Sequence, residues 1–155
     1  MIVVSDTSVI TALLQVGRSE LLNELYHVVL IPEAVRDELL PAHPNLPPFF
    51  RCESILDASE VRRLLVELDL GEAEAIVLAK ECHADVLLMD ELEGRRVALR
   101  EGVPFIGLLG VLVQAKQMGK ILSVRELIGE LEAVAGFRLS AEIKAVAFRR
   151  AGEGE

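Results

Sequence analysis

Residues 1–10, MIVVSDTSVI, decide the reading of this chain. IVVS, residues 2–5, is a continuous apolar and β-branched run, too brief for a helix and suited to a strand buried on both faces. Asp6 interrupts it. TSVITALLQVG, residues 7–17, then shows helical spacing and stops at Gly17, a residue suited to a helix C-terminus. A carboxylate at such a junction has two readings. It caps the helix that follows, or it is delivered by a parallel strand to the sheet's carboxyl rim, where α/β proteins bind ligands.

The same punctuation recurs along the chain. SELLNELY (19–26) has helical spacing, HVVLIP (27–32) reads as a second buried strand, and PEAVRDELL (32–40) as a helix with Pro32 at its start. PAHPNLPP (41–48) is a proline-rich loop and FFRCES (49–54) an edge strand. DASEVRRLLVEL (57–68) and the alanine-rich GEAEAIVLAKEC after Gly71 read as helices. DVLLMD (85–90) is a third apolar strand, again ending in a carboxylate, Asp90. LEGRRVALREG (92–102) is a helix and VPFIG (103–107) a fourth strand. From about Leu108 to Arg150 the pattern is helical, broken at Gly119 and Gly136, and the final GEGE reads as frayed. Strands alternating with helices predict an α/β fold: a central parallel sheet of about four to five strands with helices on both faces. The length suits a single domain over 1–155, with a helical C-terminal extension from about 121.

Composition narrows the functional classes. A hydrophobic fraction of 52 % excludes a disordered chain, and a net charge of −9 argues against bulk electrostatic capture of nucleic acid, though not against a local basic patch. Cys52 and Cys82 lie far apart and form no C-x-x-C pair, which argues against a disulfide framework and against zinc. His27, His43 and His83 show no ligand spacing and read as structural. There is no basic segment leading an apolar core, and no apolar run approaches the roughly twenty residues of a membrane helix. The expected setting is cytoplasmic, with no membrane association.

Helical geometry sorts the acids. At about 100° per residue, Glu33, Arg36 and Asp37 share one side of their helix, while Glu38 falls within the apolar arc of Ala34 and Val35. In the helix after Gly71, Glu74 reads as a surface residue, while Glu72 falls in the apolar arc one turn before Ile76. An unpaired carboxylate facing the protein body costs several kcal/mol or stays protonated. Either glutamate has a bland reading: an arginine partner, or exposure in a first helical turn. The sharper reading brings Asp6, Glu38, Glu72 and Asp90 together at the carboxyl rim. Such a cluster persists only when protons or cations neutralise it. Carboxylates without histidine or thiolate suit a hard ion, Mg²⁺ or Mn²⁺, and hydrolysis of a phosphodiester.

VVSDTSVI, Glu38 in PEAVRDEL, GEAEAIVLA and VLLMDE, in that order, resemble a PIN domain. The likeness is greatest to a subfamily carrying GEAEAI and GVLVQAK stretches, near the toxin ribonucleases of toxin–antitoxin pairs. It covers about Ile2 to Lys120, and GFRLSAEIKAVAFRRAGE also resembles that subfamily's helical tail. The resemblance implies a three-layer α/β/α fold and a Mg²⁺- or Mn²⁺-dependent endoribonuclease. It places the family's four acids on Asp6, Glu38, Glu72 and Asp90, with Glu91 adjacent should the register differ by one. Ser8 matches the small hydroxyl residue that supports the first aspartate. Glu72 departs from the usual aspartate. A homodimer and a small antitoxin partner are further expectations from the resemblance, and an inactive PIN module that binds RNA or a protein is the alternative.

A −9 chain that handles RNA needs local positive charge. Arg96 and Arg100 stack four apart on the helix after Asp90, with Arg95 adjacent, and these three are the candidate RNA contacts. The competing reading is a solvated face with local ion pairs, such as Glu93 with Arg96. Aromatics are only 4 %, which gives no support to a base-stacking platform.

Overall fold

A computed structural model describes residues 1–154. Five strands form one parallel sheet in the order β3-β2-β1-β4-β5: β1 (Val3–Ser5), β2 (Val29–Pro32), β3 (Phe50–Glu53), β4 (Val86–Leu88) and β5 (Phe105–Ile106). The central strand is thus the one that opens the chain. Val3, Val4 and Ser5 lie beside Val86, Leu87 and Leu88 of β4, and Val4 beside Leu30 of β2. Val3 and Val4 are essentially inaccessible, as expected of β-branched residues covered on both faces.

The helices are α1 (Thr7–Gln15), α2 (Glu20–Tyr26), α3 (Glu33–Leu39), α4 (Ala58–Leu64), α5 (Leu70–Glu81), α6 (Leu92–Arg100), α7 (Leu108–Gln117), α8 (Val124–Val134) and α9 (Ala141–Arg150). They cover the sheet on two sides, giving the three-layer α/β/α arrangement. One core cluster joins Val3, Ile10, Leu13, Val35 and Leu88 to Leu112 of α7 and Leu127 and Leu131 of α8. The other joins Val4 and Leu87 to Ile76 of α5 and Val97 of α6. α7, apolar nearly all round in sequence, buries Leu108, Val111, Leu112, Val113 and Ala115.

Two polar devices fix the outer helices. Glu153 accepts from the Val124 and Arg125 amides at 2.6 and 3.0 Å, seating the chain's final turn on the α8 N-terminus, with Lys116 at 2.9 Å. On the opposite side, Glu101 receives Arg63 at 2.7 Å and Lys80 at 2.8 Å, with Arg100 at 3.4 Å, tying α4 and α5 to the end of α6. The Arg63 and Lys80 hydrogen bonds hold the Glu101 carboxyl down at about 2, against 4.5 ordinarily. Its contribution is therefore present above about pH 4.5 and lost as pH falls toward about 2. We expect Glu101→Gln to unfold at lower denaturant than the parent at neutral pH, with the two curves converging in acid; parallel curves across the whole pH range would contradict this role.

Candidate functional site

The site is built at the carboxyl ends of the strands. Asp6 follows β1 directly, and its amide donates to Leu88 O at 3.0 Å, which continues the ladder one residue past the strand and fixes the side chain at the rim. Asp6 occupies the N-cap position of α1, yet its carboxylate makes no capping hydrogen bond. The capping reading of Asp6 therefore fails. The side chain faces a cleft of about 540 Å³ shared with Thr7, Ser8, Glu38, Asp69, Glu72 and Glu91, and lined also by Ala135 and Phe137.

Asp6 is only 3 % exposed. Burial raises its carboxyl to about 7 from 3.8; the Thr7 backbone amide opposes the rise, and the negative fields of Glu72, Asp69 and Glu38 add to it. Burial also raises Glu38 and Glu72, and Asp69 adds to both. Glu91 and Glu38 contribute further to Glu72. These carboxylates share one electrostatic environment.

The protein body shapes each acid's approach. α5 begins one residue before Gly71, at Leu70, with Asp69 as its cap. Asp69 accepts from the Glu72 amide at 2.8 Å, and Glu72 accepts from the Asp69 amide at 3.1 Å, a reciprocal capping box. Asp69 is the acid that sequence reasoning missed. Its signal was the D-x-x-E spacing before an apolar helix, hidden by starting that helix at Gly71. Gly71 leaves room for the Glu38 carboxylate, which a Cβ there would displace. Glu74, expected on the surface, is half-buried and accepts from the Ala34 amide at 3.0 Å, so α5 caps α3 and sets where Glu38 projects.

The structure sets Asp90 apart from the other three acids: its Oδ1 lies 3.1 Å from Arg95 Nη2 and accepts from the Leu108 amide at 3.1 Å, at the start of α7, and it lines a different cavity. Gly107 permits this, because a Cβ there would collide with Arg95 and Asp90. Glu91, one residue on, faces the acidic cleft instead. The strand ends at Leu88, two residues before the expected Asp90, and the Asp90 side chain turns toward partners in α6 and α7 that local pattern does not reveal.

Arg96 and Arg100 are committed to acids: they bond Glu67 at 2.9 and 2.8 Å respectively, and Arg96 also bonds Glu93 at 3.0 Å. The ion-paired reading of that face describes these two. Arg95 is separate, held by Met89 O at 3.0 Å and by Asp90.

Two hydroxyls, Thr7 Oγ1 and Ser8 Oγ, are buried without a hydrogen-bond partner among the described residues. The Thr7 hydroxyl lies near enough to Glu38 to pull its carboxyl down slightly, without closing a well-formed hydrogen bond. Unsatisfied buried hydroxyls are uncommon and mark a place for a ligand or water. Among the described residues, no three acidic, histidine or cysteine side chains converge into a ready-made metal cage. Mg²⁺ does not require one, since it usually keeps several waters and takes only one or two carboxylates. Carboxylates and hydroxyls, without imidazole or thiolate, are the donor set of a hydrated hard cation.

A parallel sheet in this strand order, with acids from β1, α3, α5 and the β4–α6 junction around one cleft, defines a class of acidic-site α/β domains. The family model described as DUF3368, a PIN domain, matches residues 2–153. The chain belongs to the PIN domain family, whose members are generally nucleases and typically use divalent metals. No curated protein matches it. Among the described residues, no helix is long and apolar enough to cross a membrane.

The proton affinity of Asp6 has a measurable cost. The folded chain holds this proton more tightly than the unfolded one, so stability falls as pH rises from about 3.8 to about 7. The loss amounts to up to about 4 kcal/mol. In chelator, Asp6→Asn is expected to be more stable than the parent above about pH 7, with the gap closing below about pH 4. Urea denaturation across this range measures it, and equal stability at about pH 8 would refute the raised proton affinity that burial gives Asp6.

Proposed function

We propose that this protein is a Mg²⁺- or Mn²⁺-dependent endoribonuclease, related in action to the toxins of toxin–antitoxin pairs. The observation that carries the reading is Asp6: a buried carboxylate that caps nothing and is crowded by further acids beside two unsatisfied hydroxyls. Membership of the PIN domain family supports it.

Asp6, Glu38, Asp69, Glu72 and Glu91 are the residues that would hold the cation. When bound, a divalent ion supplies charge to neutralise a phosphodiester's oxygens and acidity to water beside it. The chain's own residues do the rest. Asp6 is fixed by the β1–β4 ladder and cannot swing away as phosphate approaches. Its raised proton affinity means that cation binding must displace a proton near neutral pH, so affinity should rise with pH. Ser8 and Thr7 offer hydroxyl donors to a phosphate oxygen. Ala135 and Phe137 add apolar surface to the lining, which lowers the local polarity and strengthens electrostatic contacts within. RNA as substrate, a homodimer and a small antitoxin partner belong to this proposal.

Asp6→Asn should lower RNA cleavage at least about a hundredfold, equal to about 3 kcal/mol of transition-state stabilisation, and chelation should abolish it. RNA binding that survives Asp6→Asn, with no cleavage by the parent in either metal, would indicate an inactive binding module. Metal binding also separates the adjacent acids at the β4 end. Glu91→Gln should weaken Mn²⁺ binding measured by calorimetry. Asp90→Asn should lower thermal stability through Arg95 and α7 while leaving Mn²⁺ affinity within about twofold. The reverse pattern would return Asp90 to the site.

A further inference from the structure

A cavity larger than the acidic cleft lies beside β5, between α7 and α9. It encloses about 770 Å³, within the usual size range of small-ligand sites. The chain has five phenylalanines, one tyrosine and no tryptophan, and three of these rings, Tyr26, Phe105 and Phe137, line this cavity. Low aromatic content thus hid a local concentration. Phe137 also lines the acidic cleft, so the two spaces share a wall.

The polar groups around these rings are unevenly satisfied. Tyr26 donates its hydroxyl to Gln114 Oε1 at 2.6 Å, which leaves the Gln114 amide nitrogen as a donor with no partner among the described residues. Gln117 Nε2 donates to Arg150 O at 3.0 Å, which leaves the Gln117 side-chain oxygen as an acceptor, again with no partner among the described residues. A donor and an acceptor beside aromatic rings are what the hydrogen-bonding edge of a nucleobase requires. Two guanidinium groups and one carboxylate also line the cavity. Arg95 lies 5.9 Å over the Phe105 ring centroid and is paired with Asp90, whereas Arg150 has no carboxylate partner among the described residues. A β-added peptide fits poorly, because the edge strand β5 is only two residues long.

We propose that this cavity is a nucleobase subsite for single-stranded RNA, taking the base beside the phosphodiester held at the acidic cleft. The inference rests on the ribonuclease reading for its choice of RNA. Stacking on the Phe137 and Phe105 side would position the base, Gln114 and Gln117 would read its edge, and Arg150 would meet the adjoining phosphate.

The test uses the full chain and a short oligoribonucleotide carrying a fluorescent adenine analogue, titrated in chelator so that nothing is cut. Arg150→Glu reverses the free charge and Ile143→Trp fills the mouth. Both positions are exposed, which favours retention of the fold, to be checked by melting temperature. Arg62→Glu, an equal charge change on exposed α4, is the control. The expected result is at least a tenfold loss of affinity in both cavity variants and little change in Arg62→Glu. Equal affinity in all variants, or equal losses in Arg62→Glu and Arg150→Glu, would overturn the proposal. So would a change in molecular mass in Ile143→Trp with oligonucleotide affinity unchanged, which would assign this face to a second copy. The two readings fail separately: cleavage by the parent with unchanged rate and position in Ile143→Trp removes the subsite and leaves the nuclease, whereas cavity-dependent binding with no cleavage in Mg²⁺ or Mn²⁺ removes the nuclease and leaves the base pocket.

Discussion

Everything at the cleft depends on holding one carboxylate where water cannot solvate it. Asp6 is carried past the end of the central strand by the bond to Leu88 O, with Val3 and Val4 inaccessible behind it. Relaxation would require breaking the β1–β4 ladder, which is anchored in both core clusters through Val3, Val4, Leu87 and Leu88. Apolar burial thus supplies the free energy that keeps an unfavourable charge in place, the usual relation between a scaffold and a strained site.

The neighbouring acids are kept close by backbone amides. Asp69 and Glu72 accept each other's amides across the first turn of α5. Glu74 satisfies the start of α3, so the helix carrying Glu38 is oriented by the helix carrying Glu72. Gly71 leaves the Glu38 carboxylate room beside the start of α5. The geometry therefore rests on cap chemistry at helix starts, and among the described residues no arginine lines this cleft as a counterion. Arg96 and Arg100 of α6, by contrast, are occupied by Glu67, Glu93 and Glu101.

The sheet was largely legible because its strands are short, apolar and separated by helical periodicity. IVVS, HVVLIP, FFRCES, DVLLMD and VPFIG all contain observed strands, and the proline-rich stretch after α3 is the irregular connection expected. Strand order does not follow from spacing, since parallel neighbours are chosen by tertiary contacts. At the site, Asp6 was legible as a strand-end acid and Glu38 as an acid out of place on an amphipathic helix. Asp69 was lost to a small error in a helix start, the boundary that capping rather than periodicity determines. Asp90 and Glu91 could not be separated because adjacent residues diverge according to partners, Leu108 and Arg95, that only the folded chain brings to Asp90. The aromatic cavity was illegible, because composition averages over a chain and cannot show three rings meeting.

The wall formed by Ala135 and Phe137 joins the beginning of the polypeptide to its final third. In an unfolded chain Asp6 is in contact with solvent, where it behaves as an ordinary acid. The unusual affinity for a proton, and any affinity for a cation that replaces it, is consequently a property of the finished tertiary structure, since burial is its main cause. Titration of this single carboxyl would therefore serve as a spectroscopic clock for completion of the fold.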